Sequence, residues 1–109
     1  MRLRFLGRGG SKVGDCPTLY ATDRGTYLVQ GWRTNTPETV EIPHLLLGFA
    51  EPDTFIGAAM IDTGRGTFTV SGRPISEPEI LARLTIADFE SAVEVPMSRR
   101  AYYGGTEGS

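Results

Sequence analysis

The sequence predicts an α+β domain, mostly antiparallel β, built from two tandem ββ(α)β units. The units stand in a pseudo-twofold relation and form one small barrel- or sandwich-like body. Three observations predict this. The chain repeats itself at long range, strand-forming residues cluster around glycine-containing turns, and a single stretch carries the start signals of a helix.

The repeat is the strongest of the three. Shifted by 41 positions, residues 19–38 (LYATDRGTYLVQGWRTNTPE) lie over 60–79 (MIDTGRGTFTVSGRPISEPE) without a gap. Eight of the 20 pairs are identical, among them Thr22/Thr63, Arg24/Arg65, Gly25/Gly66, Thr26/Thr67, Val29/Val70 and Gly31/Gly72. Chance would give about one identity. The match resumes at an offset of 53, where Thr39-Val40-Glu41-Ile42-Pro43 resembles Ala92-Val93-Glu94-Val95-Pro96. The second copy therefore holds 12 extra residues, roughly 80–91. Neither half could bury enough apolar surface alone, so the expectation is one duplicated domain over residues 1–97. Its repeat units run from about 16 to 43 and from about 57 to 96, and a flexible tail follows at 98–109.

Each unit opens as a hairpin. Residues 18–22 lead into the turn Asp23-Arg24-Gly25, and 26–32 lead out of it. Residues 56–62, 63–66 and 67–72 repeat the pattern, with Gly25 and Gly66 supplying positive φ. Alternation puts Tyr27 and Val29, and Phe68 and Val70, on the core face. Val40-Glu41-Ile42 and 92–95 read as third strands ended by Pro43 and Pro96. Ser76 reads as a helix N-cap with capping-box spacing to Glu79, and Pro78 stands early in that helix. Ile80, Leu81 and Leu84 form its apolar face. Residues 44–50 fit a short helix or a strand.

Composition narrows the function classes. With 109 residues, 39% hydrophobic and 22% charged, the chain has a globular balance, and a net charge of -2 argues against a polycation that coats nucleic acid. One Cys and one His exclude a disulfide framework and an ordinary zinc site, so no cofactor or metal is expected. No apolar run approaches the roughly 18 residues of a membrane span. The basic start Met1-Arg2-Leu3-Arg4-Phe5-Leu6 stops at Gly7, too soon for a signal-peptide core. The expectation is a cytoplasmic protein with Cys16 as a free thiol.

Charge is uneven: residues 1–35 carry net +4, residues 36–97 net −7. The hairpin at 20–33 interleaves Tyr20, Tyr27 and Trp32 with Arg24 and Arg33, as single-strand-binding β domains do. Trp32 replaces the Arg73 of the second unit, and its neighbours suggest a half-exposed indole of the kind enriched at interfaces. Gly7-Arg8-Gly9-Gly10-Ser11-Lys12 lacks the phosphate-loop pattern and reads as a connector. Cys16 and His44 are the one pair that could build thiol catalysis, and both have plainer readings, as a small buried hydrophobe and an exposed cap. The repeated positions read as shape-holding, with Arg24/Arg65 and Glu38/Glu79 available as ion pairs within each unit.

The strings CPTLYATDRGTYLVQGWR, VEIPHLLLGFAEPDT, DTGRGTFTVSGRPISEPE and VEVP resemble a family of small, uncharacterised actinobacterial proteins of the Streptomyces type. The resemblance covers about residues 3–97. Members of that family are often encoded beside helix-turn-helix regulators and small partners of those regulators. The resemblance implies a partner-binding or regulatory role and no catalytic residue. The function expected is a non-enzymatic protein-interaction module, partner of a transcription regulator, self-associating as a homodimer, with Trp32, Arg33, Tyr20, Arg24 and Arg8 at the binding surface. Two alternatives stand beside it. One is a single-stranded nucleic-acid binder using Arg8, Lys12, Tyr20, Arg24, Trp32 and Arg33. The other is a thiol enzyme at Cys16.

Overall fold

The computed structural model describes residues 1–9 and 17–101. Cys16, Lys12 and the rest of the glycine-rich connector at 10–16 lie outside the described residues, as does the tail beyond 101. The element order is β1 (Leu3–Arg8), β2 (Thr18–Thr22), β3 (Thr26–Arg33), β4 (Thr39–Pro43), a 3₁₀ helix (His44–Phe49), β5 (Thr54–Ile56), β6 (Met60–Asp62), β7 (Thr67–Ser71), β8 (Arg73–Pro74), α1 (Pro78–Leu81) and β9 (Glu90–Arg99). The fold is mostly antiparallel β with little helix. Its strands run β1-β2-β3-β4-β7-β6 as an open sheet, and β9 pairs with β3, β5 and β8 off that path. No helix among the described residues is long and apolar enough to cross a membrane.

The two hairpin turns close in the same way. At the first, the Thr22 and Thr26 hydroxyls lie 2.5 Å apart and the Arg24 N–H donates to Thr22 Oγ1. At the second, the Thr63 and Thr67 hydroxyls lie 2.6 Å apart and the Arg65 N–H donates to Thr63 Oγ1. Gly25 (φ 70) and Gly66 (φ 84) hold the left-handed conformation that each reversal needs.

The third strands go to the other hairpin. β9 pairs with β3, setting Thr26 opposite Pro96 and Leu28 opposite Glu94. β4 pairs with β7, setting Thr67 opposite Pro43 and Thr69 opposite Glu41. The offsets of 41 and 53 make these the same register. The strands cross closely at Gly31 and Gly72. A Cβ on Gly31 would stand 2.7 Å from the Glu41 carbonyl oxygen, and one on Gly72 would crowd the Glu94 carbonyl likewise.

The main core lies where expected. Tyr27, Val29 and Val70 pack with Leu19, Val40, Ile42, Val93 and Val95, and Phe68 is partly buried against them. A second core was not expected. Leu28, on the face read as outward, is fully buried among Tyr20, Ile75, Ile80, Leu84 and Ala92. Residues from about 80 to 91 fold over this side of β3, so β3 is buried on both faces.

Several sequence expectations are corrected. β1 was not foreseen: its alternation is broken by a register irregularity between Phe5 and Gly7, which exposes Phe5 and buries Gly7. Ser76 is not an N-cap. α1 is one turn capped at Glu77, and the Ser76 N–H is bound to the Glu77 carboxylate instead. Residues 56–62 do not form one strand, because β5 pairs with β9 and only β6 pairs with β7. Pro96 does not end its strand; β9 changes partner there, from β3 to β5, and runs on through Ser98 and Arg99, which had been assigned to the tail. Residues 44–49 resolve as the 3₁₀ helix.

Candidate functional site

The repeated charged residues form two clusters, and neither uses the carboxylates expected. Arg24 and Arg65 pair with Glu94 and Glu41, on the exchanged third strands, and not with Glu38 and Glu79. The Thr26 hydroxyl donates to Glu94 Oε2 at 2.6 Å, and the Thr67 hydroxyl donates to Glu41 Oε2 at the same distance. Glu94 carries a second guanidinium, Arg73, at 2.6 Å, which also reaches Glu77 at 3.1 Å. Burial pushes the Glu94 carboxyl up, but Thr26, Arg73 and Arg24 outweigh it and hold it below the ordinary glutamate range. The Thr67 hydroxyl and the Arg65 guanidinium hold Glu41 low against a lesser burial effect. Both clusters tie a turn to a strand, which is a structural role.

The five residues proposed for partner binding are not one surface. Tyr20 is 8% exposed and packs in the second core, so its ring is not available to stack on a base. Arg24 is held by Glu94. Arg8 lies over the exposed Phe5 ring at 5.2 Å and donates from Nε to the Thr18 hydroxyl; Phe5 in turn meets Tyr20 edge-on at 6.1 Å. The structure therefore brings Arg8 and Tyr20 together through a residue that the sequence reading did not name. Arg33 is exposed, with its Nε on the Glu90 carbonyl oxygen at 3.0 Å.

Trp32 is half-buried, as expected, and its surroundings make the candidate site. Across the sheet, Ile61 stands opposite Thr69, Thr69 opposite Glu41, and Glu41 opposite Trp32, so the four share one face. Ile61 is 69% exposed, the largest value among the exposed large hydrophobic residues. The offsets match this row, position for position, to Tyr20, Leu28, Glu94 and Arg73, which are aligned in the same manner. Tyr20 and Leu28 of that second row are covered by the insertion, Arg73 at its far end is exposed, and β1 pairs along the outer edge of the hairpin. The row from Ile61 to Trp32 has no such cover among the described residues. β6 ends the sheet, with its outer backbone edge unpaired by any described strand. An edge of this kind is a template for an added strand.

His44 stacks on Phe68 with ring centroids 4.1 Å apart and lies 3.8 Å from Asp62. No group of three metal-ligating side chains occurs among the described residues. The sequence reading missed Gln30 and Glu90, which are 1% and 0% exposed. Gln30 Nε2 donates to Glu90 Oε1 at 3.0 Å and to the Thr85 carbonyl at 2.7 Å. Nothing in the local pattern around Glu90 announces burial, since its neighbours Asp88 and Phe89 are exposed. Compared with known proteins, the chain matches no family model, no curated protein and no solved structure.

Proposed function

We propose that this chain is a cytoplasmic, non-enzymatic protein-interaction module that partners a helix-turn-helix transcription regulator. It docks an extended segment of that partner on the β6 edge and the face running from Ile61 to Trp32. One observation carries the reading: of two hairpins matched by the repeat, the first buries Tyr20 and Leu28 under the chain's own residues, while the second leaves the matched Ile61 exposed and Thr69 half-buried, in a row that ends at the half-buried Trp32. An added strand on β6 would do there what β1 does for β2. The actinobacterial resemblance supplies the class of partner.

The architecture we infer beneath this is two tandem ββ(α)β units related by a pseudo-twofold axis. Identical turn hydrogen bonds, identical registers of the exchanged strands and the paired crowding at Gly31 and Gly72 support it. A small barrel follows if β7 and β8 count as one strand bent at Gly72, because β3, β9, β8–β7 and β4 then pair in a circuit.

The test is co-expression with a helix-turn-helix regulator taken from the neighbourhood of the gene, followed by light scattering on the purified material. A stoichiometric complex is expected with the native chain and is expected to be lost with Ile61→Asp or Trp32→Ala. A complex indifferent to both substitutions, or no complex, overturns the reading.

A further inference from the structure

Against the insertion lies a half-open pocket of about 310 Å³. That is the small end of the range for ligand pockets. Its apolar lining includes Ile75, Leu84 and Ala92, all buried, with the half-buried Ile86 and the exposed Arg33 completing it toward solvent. Glu90 also lines it.

Glu90 is the unusual member. It is wholly buried, and one of its oxygens, Oε1, accepts from Gln30 and from the Ala87 N–H. The other, Oε2, has no hydrogen-bond partner, and neither has the neighbouring Gln30 Oε1. Two buried acceptors without a donor are costly, and more so when one belongs to a carboxylate. Arg33, the nearest cation along the chain, does not reach them; its Nε is on the Glu90 main-chain oxygen. The site therefore lacks one group of definite chemistry: a compact cation with several N–H donors, attached to a short apolar body. An alkylammonium meets that description, since its N–H groups can serve the Glu90 carboxylate while its hydrocarbon meets the aliphatic wall.

We propose that this pocket binds a small aliphatic ammonium compound, its head on the Glu90 carboxylate and its hydrocarbon against Ile75, Leu84 and Ala92. Glu90 Oε2 is closed off from solvent in the folded chain, so binding requires the segment over it to shift; that segment is one helical turn followed by irregular chain, which opens at lower cost than a strand ladder. The site lies apart from the β6 edge, and its Glu90 stands opposite Trp32, the far end of the docking face, in the β3–β9 ladder.

The experiment titrates the isotope-labelled full chain with isopentylammonium, isopentanol and isovalerate, which share a branched five-carbon skeleton, and follows the backbone amide signals of Ile75, Leu84 and Ala92. Saturable shifts are expected with the ammonium compound and not with the alcohol or the acid. Glu90→Gln is expected to weaken binding by at least about tenfold. Leu84→Trp, which fills the cavity, is expected to abolish it. Failure of the ammonium compound to saturate, equal binding of the alcohol or the acid, or full affinity in a folded Glu90→Gln chain would each overturn the proposal. The ligand series on the native chain decides the matter if the variants do not fold.

Discussion

The β2–β3 hairpin and the β6–β7 hairpin share their turn residues, their turn hydrogen bonds and their registers with the exchanged strands, yet they meet the solvent differently. The first carries Tyr20 and Leu28 on its outer face, under a lid that the insertion provides, and has β1 along its edge. The second carries Ile61 and Thr69 at the matched positions, with neither lid nor edge strand among the described residues. The difference teaches that identity within a repeat marks what holds the shared frame, while divergence marks what each half does with its outer face. Leu28 stands where there is a cover, and its counterpart Thr69 stands where there is none. Ile61 is the departure from that rule, which is why it points to a missing partner.

Truncations at matched positions should break the symmetry most. Leu28→Ala opens a cavity in a sealed core and is expected to cost about 2–5 kcal/mol in urea unfolding. Thr69→Ala, its counterpart, is expected to stay within about 0.5 kcal/mol. Equal losses would mean that the two faces are equally covered in solution.

Next in size are substitutions that the two halves should feel alike. Gly31→Ala and Gly72→Ala each drive a methyl group into a main-chain carbonyl oxygen at a strand crossing, and each should cost about 1–3 kcal/mol. A loss confined to one of them would show that the crossings are not equivalent.

The acid limb of stability should separate the halves more finely. Glu94 and Glu41 both titrate below the ordinary glutamate value of 4.5 in the folded chain. Their contribution is therefore complete above that value and is lost as pH falls through the folded-state pKa of each. Glu94 answers to two arginines and Glu41 to one, and the Glu94 side chain is 9% exposed against 22% for Glu41. Glu94→Gln should flatten the decline of stability below pH 4.5 more than Glu41→Gln does, with losses near neutrality of about 2 and about 1 kcal/mol. The reverse order would remove Arg73 as a working partner of Glu94.

The smallest expected effect is on the edge. Ile61→Lys should leave stability of the isolated chain within about 0.5 kcal/mol, because an edge residue this exposed has little packing to lose. A larger loss would place Ile61 in a contact within the chain and remove it as a docking residue.

Much of the frame was legible because it is local. Gly25 and Gly66 sit where a reversal requires positive φ, and the alternation through Tyr27 and Val29 names a core face. What was not legible depends on contacts distant in sequence. Leu28 reads as outward until the insertion is seen to fold over it. Glu94 and Glu41 are matched residues in the sequence, but nothing local says that each serves the turn of the other half. β1 escaped notice because its irregularity at Phe5 and Gly7 destroys the period of two by which strands are recognised. Of the candidate surface, Trp32 was legible as a residue present in only one unit. Ile61 was not, since Met60-Ile61-Asp62 looks like an interior strand until β6 is found at the end of the sheet. Of the other four residues, Arg8 and Tyr20 stay near each other through Phe5, while Arg24 goes to Glu94 and Arg33 to the Glu90 main chain.

The exchange of third strands has a consequence for any attempt to dissect the molecule. β4 leaves the first hairpin to complete the ladder of the second, and β9 returns to complete that of the first. Each half thus holds a piece that the other cannot do without. A cut at the exposed Gly48, on the connection between them, would yield fragments able to fold only by clasping one another.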